Sequence, residues 1–172
     1  LRIGSNYYCY SPAVFDEAVR YFLYDFMKKA FPQEFSSAFG KIMERYLEEG
    51  LRFCDFSYLT EGHIKKKFSG RPVDFVVQGT DATLLIESKS VEMPPLARIN
   101  PQDVVLRSAL TNRISDALKQ LYSVAHAISG RALDIDTNKE NIFGIVVTYK
   151  ELYLGGARGI WEEIFIEYCN VR

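Results

Sequence analysis

Two short runs in the middle of the chain constrain its fold more than any other feature. Apart from Asp74 and Thr83, residues 73–77 and 83–86 are apolar at both odd and even positions. A strand that is apolar at both parities is buried on both of its faces. The residues Gly79-Thr80-Asp81 between the runs are typical of a hairpin turn. The chain is therefore expected to build a sheet that other elements cover on both sides.

The rest of the chain is predicted to provide the covering helices and further strands. Apolar residues recur at helical spacing in long segments, the first opened by Ser11-Pro12 and the last ended by Gly130. A loop containing three prolines occupies 90–105. The predicted elements are helices at 11–30, about 36–51 and 111–129, and strands at 64–68, 73–78, 83–89 and 141–149, the last of them buried. This order predicts an α/β domain with a crossover helix.

The composition excludes some classes of protein without indicating an activity. The 172 residues include 21 Lys and Arg against 22 Asp and Glu, and this net charge of −1 excludes a polybasic protein but not a local basic patch. No apolar run reaches the ~18–20 residues of a membrane helix, and no secretory signal is visible. Three scattered cysteines predict reduced thiols. We therefore expect a cytoplasmic protein with no membrane partner.

The domain organisation is expected to be one core with an appendage. Residues 1–35 are interpreted as an N-terminal helical extension and residues 36–172 as the core domain, because all the predicted strands follow the first helix. The chain does not begin with Met. We therefore expect it to be excised from a longer protein, whose other domains would be partners.

Charged residues stand at matched positions of the predicted hairpin. If the turn is centred between Thr80 and Asp81, paired residues have numbers that sum to 161, so Asp74 faces Glu87. Lys89 lies two residues after Glu87 and hence on the same face of the sheet. The sequence predicts two carboxylates and one ammonium group side by side, provided that the register does not slip by one residue.

The opposed carboxylates of Asp74 and Glu87 need a compensating charge, because they repel each other and are costly to desolvate. A divalent cation bound by both would provide it, and carboxylate oxygens suit Mg²⁺. Lys89 could position or deprotonate a water, or stabilise a developing negative charge, which fits metal-assisted phosphodiester hydrolysis. The simpler interpretation is that Asp74 begins an edge strand, Glu87 pairs with Lys89 or Arg71, and nothing binds.

This arrangement resembles the PD-(D/E)XK nuclease superfamily. Its pattern places an Asp at the start of one strand and Glu-x-Lys on the next, as Pro72-Val73-Asp74 and Glu87-Ser88-Lys89 do here. The resemblance extends from about residue 36 to residue 149. It implies the restriction-endonuclease-like fold, a three-layer α/β core. In that core a central mixed sheet, an antiparallel meander plus a strand after a crossover helix, is flanked by helices.

The resemblance also implies a role for each matching residue. Asp74 and Glu87 would be metal ligands and, together with Lys89, catalytic residues. The carbonyl of Ser88 would be a further ligand. Many members add an acidic residue from the helix before the meander, and Glu44 stands at that place, at the margin of the apolar stripe of its helix. The implied cofactor is Mg²⁺, for which Mn²⁺ substitutes.

Residues expected to contact nucleic acid surround the motif. Phosphate binding needs a local basic patch more than a high net charge. Some branches of the superfamily carry Gln-x-x-x-Tyr in the helix after the motif; Gln120 matches, but Tyr122 does not keep the spacing. The predicted nucleic-acid-binding residues are Lys65, Lys66, Lys67, Arg71, Arg113 and Gln120. For the three consecutive lysines, a solvated strand edge is an equally weighted alternative.

The expected function is that of a Mg²⁺-dependent endonuclease or exonuclease, acting on DNA in preference to RNA. The resemblance implies a setting in bacterial restriction or phage defence, and homodimers are an expectation because many nucleases of this fold dimerise. One alternative is a catalytically inactive domain of the same fold that binds nucleic acid or serves assembly. Another is an interaction module, which the aromatic content of 14% would suit.

Overall fold

The computed structural model describes residues 2–3, 5–8, 11–92 and 103–150. Within that part, helices and strands are mixed along the chain in an α/β arrangement. In chain order the elements are β1 (Arg2–Ile3), β2 (Asn6–Tyr7), α1 (Pro12–Ala30), α2 (Pro32–Phe53), β3 (Tyr58–Thr60), α3 (Glu61–Lys65), β4 (Phe75–Gln78), β5 (Thr83–Lys89), α4 (Asp103–Ser129) and β6 (Ile142–Thr148). The chain divides into two compact units, Leu1–Phe39 and Gly40–Arg172.

The first unit contains the β1–β2 ribbon, α1 and the first turns of α2. The predicted start of α1 is confirmed, since the helix begins at Pro12 and its first turn closes with the Phe15 N–H donating to the Ser11 carbonyl. The predicted start of α2 was too late, because Pro32 opens that helix instead of only ending the previous one. A proline fits the first helical turn, where its missing N–H would have no partner.

The second unit is built on a four-stranded sheet in the order β3-β4-β5-β6. β3, β4 and β5 form an antiparallel meander, and β5 and β6 are parallel, joined by a connection that contains α4. The α/β class and the mixed sheet are therefore as predicted. The hairpin register is confirmed, because Phe75 pairs with Ile86 and Gln78 with Thr83, so that paired numbers sum to 161.

Both faces of the hairpin are buried, as the two apolar runs predict. On one face, Val76 and Leu85 belong to a cluster with Leu121 and Val124 of α4. On the other face, Phe75, Val77 and Ile86 pack with Leu51, near the end of α2. The alternation of strand side chains thus places the hairpin between two helices.

Three predicted boundaries differ from the structure. The first strand of the meander is β3, whereas residues 64–68, predicted as a strand, lie at the end of α3 and in the turn that follows. The side chain of Ile64 is fully buried in the core, which fixes this short helix. α4 begins at Asp103 and not at 111, because neither Pro nor Gly interrupts the chain between these positions. At 27 residues α4 is long, yet no helix in the described ranges is both long and apolar enough to cross a membrane.

β6 is less buried than its apolar sequence predicts. Phe143 and Ile145 point to the same face of the strand, and both are exposed. Gly144 points to the opposite face, where a Cβ atom would lie only 3.2 Å from Leu121 Cδ1 of α4. α4 therefore approaches β6 closely on one face, and glycine is the residue that leaves room for it.

The turn end of the hairpin is hydrogen-bonded to the loop that precedes β6. Thr83 is fully buried, and its Oγ1 lies 2.6 Å from Thr137 Oγ1 and hydrogen-bonds to the Asn138 carbonyl. Asn138 also donates from its backbone N–H to the Gly79 carbonyl at 3.2 Å and from Nδ2 to the Thr80 carbonyl at 3.0 Å. These bonds hold the hairpin turn against the loop.

We expect Thr83→Val to lower the free energy of unfolding by about 1–2 kcal/mol, because it leaves buried polar partners without a hydrogen bond. Urea unfolding followed by circular dichroism measures this change. Thr80→Val, the same substitution at an exposed turn residue, should change stability by less than ~0.5 kcal/mol. Equal effects of the two substitutions would show that the Thr83 hydroxyl does not stabilise the loop.

Candidate metal centre

Asp74 and Glu87 are in contact, as the confirmed register requires. Asp74 precedes β4 by one residue, and its backbone N–H donates to Glu87 Oε2 at 3.2 Å. Asp74 Oδ2 accepts hydrogen bonds from the Ser88 backbone N–H at 2.7 Å and from the Ser88 hydroxyl at 2.6 Å. The Asp74 carbonyl accepts from the Glu61 N–H at 2.8 Å, so the aspartate is held by β5 on one side and by α3 on the other.

Glu87 is the buried acid of the site, with only 2% of its surface exposed. Desolvation raises its pKa from 4.5 to about 7, the hydrogen bond from Lys89 works in the opposite direction, and the negative charge of Asp74 adds to the rise. Near neutral pH, the metal-free site therefore holds this carboxyl partly protonated. A cation that neutralised the pair would favour the ionised form.

Lys89 stands at the end of β5 with 24% of its side chain exposed. Its Nζ donates to Glu87 Oε1 and, at 3.1 Å, to Gln120 Oε1 of α4. Gln120 Nε2 in turn donates to the Pro72 carbonyl at 2.9 Å. The amide of Gln120 thus bridges Lys89 and the segment that leads into Asp74, and it holds the ammonium group beside the two carboxylates.

Gln120 lies in the site itself, beside Lys89. It was predicted to contact nucleic acid, and the structure places its amide on Lys89 and on the Pro72 carbonyl. The partial match to Gln-x-x-x-Tyr pointed to this residue. The contact with Lys89 depends on where α4 crosses the sheet, and no spacing in the sequence gives that position.

Glu44, the third predicted carboxylate, lies on the exposed side of α2. Partial burial raises its pKa above 4.5, and the negative charges of Asp74 and Glu61 add to the rise, while Lys41 and Lys89 oppose it. Glu44 is therefore within electrostatic reach of Asp74 and Lys89. In the described ranges, however, no three Asp, Glu, His or Cys side chains stand close enough together to hold a metal ion. Glu44 stays a predicted ligand.

The predicted basic patch is partly neutralised by neighbouring groups. Lys65 pairs with Glu61 at 2.8 Å, Lys67 donates to the Asp134 carbonyl at 3.2 Å, and Arg71 lies 3.8 Å from Asp116. Lys65, Lys66 and Lys67 are all exposed, at the end of α3 and in the turn after it. The alternative that these lysines mark a strand edge is wrong. Arg113 is on α4, and its side chain lies outside the described part of the chain.

No family model, curated protein or solved structure matches this chain. The chemistry of Asp74, Glu87, Lys89 and Gln120 is thus the basis on which a function can be assigned.

The raised pKa of Glu87 makes the stability of the metal-free protein depend on pH. Because the folded-state pKa of about 7 exceeds the ordinary 4.5, the folded state binds more protons between these values. The contribution of Glu87 to the free energy of unfolding is therefore full at low pH, where the carboxyl is protonated in both states. It is lost as the pH rises through 7. In EDTA, we expect the free energy of unfolding to fall by on the order of 1–3 kcal/mol between pH 5 and pH 8.

Variants of Glu87 and of an exposed glutamate show how much of this pH dependence comes from Glu87. Glu87→Gln should flatten the fall in urea-unfolding free energy between pH 5 and pH 8, whereas Glu140→Gln, at an exposed glutamate, should keep it. Superimposable pH profiles of wild type and Glu87→Gln would contradict the assignment of Glu87 as a buried acid.

Proposed function

We propose that this protein is a metal-dependent nuclease domain with the restriction-endonuclease-like fold of the PD-(D/E)XK superfamily. The observation that carries the proposal is the cluster of Asp74, Glu87 and Lys89 on the central hairpin, where Asp74 and Glu87 meet across the strands and Lys89 donates to Glu87. The predicted opposition of the two carboxylates depends on the hairpin register, and that register is observed.

The topology of the second unit supports the proposed fold. An antiparallel meander is followed by a connection that contains α4 and by a strand parallel to β5. Lys89, the last residue of β5, pairs in register with Thr148, the last residue of β6. In open α/β sheets, ligands bind beyond the carboxyl ends of parallel strands. Glu87 and Lys89 therefore occupy the end of the sheet at which a substrate is expected.

The residues at this site fit a divalent cation. Glu87 is a buried carboxylate whose pKa is raised further by the negative charge of Asp74, and burying such a charge is costly without a compensating positive charge. Asp74 and Glu87 would hold the ion, with the carbonyl of Ser88 and the carboxylate of Glu44 as the further proposed ligands, and oxygen donors of this kind suit Mg²⁺ or Mn²⁺. When bound, such an ion polarises a phosphoryl oxygen and lowers the pKa of a water.

The chain's own residues orient the reacting groups. Lys89 is a partly exposed ammonium group that two acceptors hold in place. In this position it would donate to a phosphate oxygen and stabilise the negative charge that develops in the transition state. Gln120 acts as a positioning residue, because its amide oxygen faces Lys89 and its NH₂ group faces the Pro72 carbonyl. Neither end of the amide can rotate without losing a hydrogen bond.

Nucleic acid is the proposed substrate, with DNA preferred to RNA. Lys65, Lys66, Lys67 and Arg71 are exposed and lie in the segment that leads to Asp74. They are proposed to contact backbone phosphates, together with Arg113. The proposed setting is a cytoplasmic effector of bacterial restriction or phage defence that works with other domains of a longer protein.

A catalytically inactive domain of the same fold is the second candidate. The observation that favours it is that the structure brings together two of the three predicted carboxylates, Asp74 and Glu87, without Glu44. Such a domain would bind nucleic acid or serve assembly, and it would do so without metal-dependent cleavage.

Cleavage assays separate the two candidates. With Mg²⁺ or Mn²⁺, we expect the wild-type chain to cut plasmid or single-stranded DNA, and we expect EDTA to abolish the activity. Asp74→Ala and Lys89→Ala should each reduce the rate by at least ~100-fold, since they remove a metal ligand and the charge-stabilising ammonium group. Lys139→Ala, at a surface lysine paired with Asp134, should retain activity. Cleavage that persists in Asp74→Ala would refute the proposed site.

Metal binding can be measured without any substrate. Mn²⁺ or Mg²⁺ at millimolar concentration should raise the melting temperature of the wild-type chain, and the rise should be larger at pH 8 than at pH 6, because the ion binds ionised Glu87. Asp74→Asn combined with Glu87→Gln should remove the rise, whereas Glu140→Gln should keep it. Equal metal-induced rises in the double variant and the wild type would place any bound metal elsewhere.

A further inference from the structure

Helix α1 presents an apolar face to solvent. Five large apolar residues fall within an arc of roughly 100° on this helix at 100° per residue. Their exposed fractions lie between 56% and 69%. This α1 stripe consists of Phe15, Val19, Phe22, Leu23 and Phe26. The helix is thus amphipathic, but its most apolar side does not form the core of its own unit.

The side of α1 that does pack lies opposite the stripe. Tyr24 is buried, and its ring makes edge-on contacts with Phe35 at 5.1 Å and with Phe39 at 4.7 Å between ring centroids. In the stripe, Phe22 and Phe26 stack on each other at 6.1 Å. The contact with α2 therefore fixes the orientation of α1 and leaves the stripe pointing away from it.

The charge distribution around the stripe suits a second copy of the same surface. The arc itself contains no charged residue. The exposed charged residues beside it are two acidic and two basic, so the surface has no net charge with which to repel its own copy or to attract an oppositely charged partner. These flanking residues are Asp16, Arg20, Asp25 and Lys29.

The area of the stripe is also sufficient for a dimer. With an aromatic side chain contributing ~150–250 Å², the observed exposures amount to about 500 Å² on each copy. Two copies that face each other would bury about 1,000 Å², which is the lower limit for a specific interface. An apolar patch of about 500 Å² matches the largest patch on a typical monomer, and such patches are often functional. Three of its five residues are phenylalanine, a type enriched at interface centres.

We propose that the α1 stripe is a homodimer interface, in which the stripe of one chain packs against the stripe of a second copy about a two-fold axis. The same surface patch then meets itself, as in most closed dimers. The interface lies in the first unit, on residues that the proposed nuclease site does not use. The dimer is therefore expected whether or not the protein cleaves nucleic acid.

Sedimentation velocity and light scattering on the full 172-residue chain test the proposal. At micromolar concentrations and above, the wild-type mass should approach twice the 19.7 kDa of the monomer. Phe22→Glu should raise the dissociation constant at least ~30-fold, because it places a charge in the centre of the interface. Phe53→Glu makes the same substitution at an aromatic residue that is 91% exposed outside the stripe, and it should leave the dimer intact.

Three outcomes would overturn the proposed homodimer interface. A wild-type mass near 19.7 kDa at every concentration, or a dimer that Phe22→Glu does not weaken, would overturn the proposal, as would equal weakening by Phe53→Glu. If Phe22→Glu loses its helical circular dichroism, hydrogen exchange of the wild-type chain provides the test. Amides of α1 should then exchange more slowly at ~100 μM than at ~1 μM, and exchange independent of concentration would refute the interface.

Discussion

The site depends on the carboxylate of Glu87, which is buried within the sheet. Glu87 stands in the central strand β5, 2% exposed, between the core that faces α4 and the core that faces α2. Its burial makes the ionised form costly. The Asp74 N–H and the Lys89 ammonium group are the donors that reduce this cost. The hairpin register brings the Asp74 N–H to this group, and the position of Lys89 two residues along β5 brings the second donor.

Helix α4 fixes the position of the Lys89 side chain through the amide of Gln120. Gln120 reaches Lys89 because its neighbour Leu121 packs closely over Gly144 of β6. A side chain at Gly144 would have to displace Leu121 or move the helix outward, and either change would shift the Gln120 amide relative to the sheet. The geometry around Lys89 therefore depends on a glycine two elements away. In the role proposed for Lys89, a displacement of the ammonium group by 1 Å would remove much of its effect on the rate.

The hairpin could be predicted from the sequence, and the tertiary contacts could not. Asp74 and Glu87 are 13 residues apart and are joined by one turn, so a local rule of strand pairing gave their contact. β3 was missed because three residues are too few for a periodic signal. The contact of Gln120 with Lys89 joins residues 31 apart and depends on the crossing of α4 over the sheet. The exposed face of β6 likewise depends on which strand lies at the edge of the described sheet.

Helix α1 shows what periodicity alone leaves open. Its spacing predicted the helix correctly, because Phe15, Phe22 and Phe26 recur at intervals of seven and four residues. A periodic apolar face is expected to be buried, but the period does not identify the surface that buries it. Here Tyr24, on the opposite side of the helix, is buried. Since exposed phenylalanine rings carry the full cost of hydration, a face of this kind indicates an intermolecular contact more strongly than a core. Runs of apolar residues therefore have different outcomes in β5, where they line the core, and in α1, where they lie outside it.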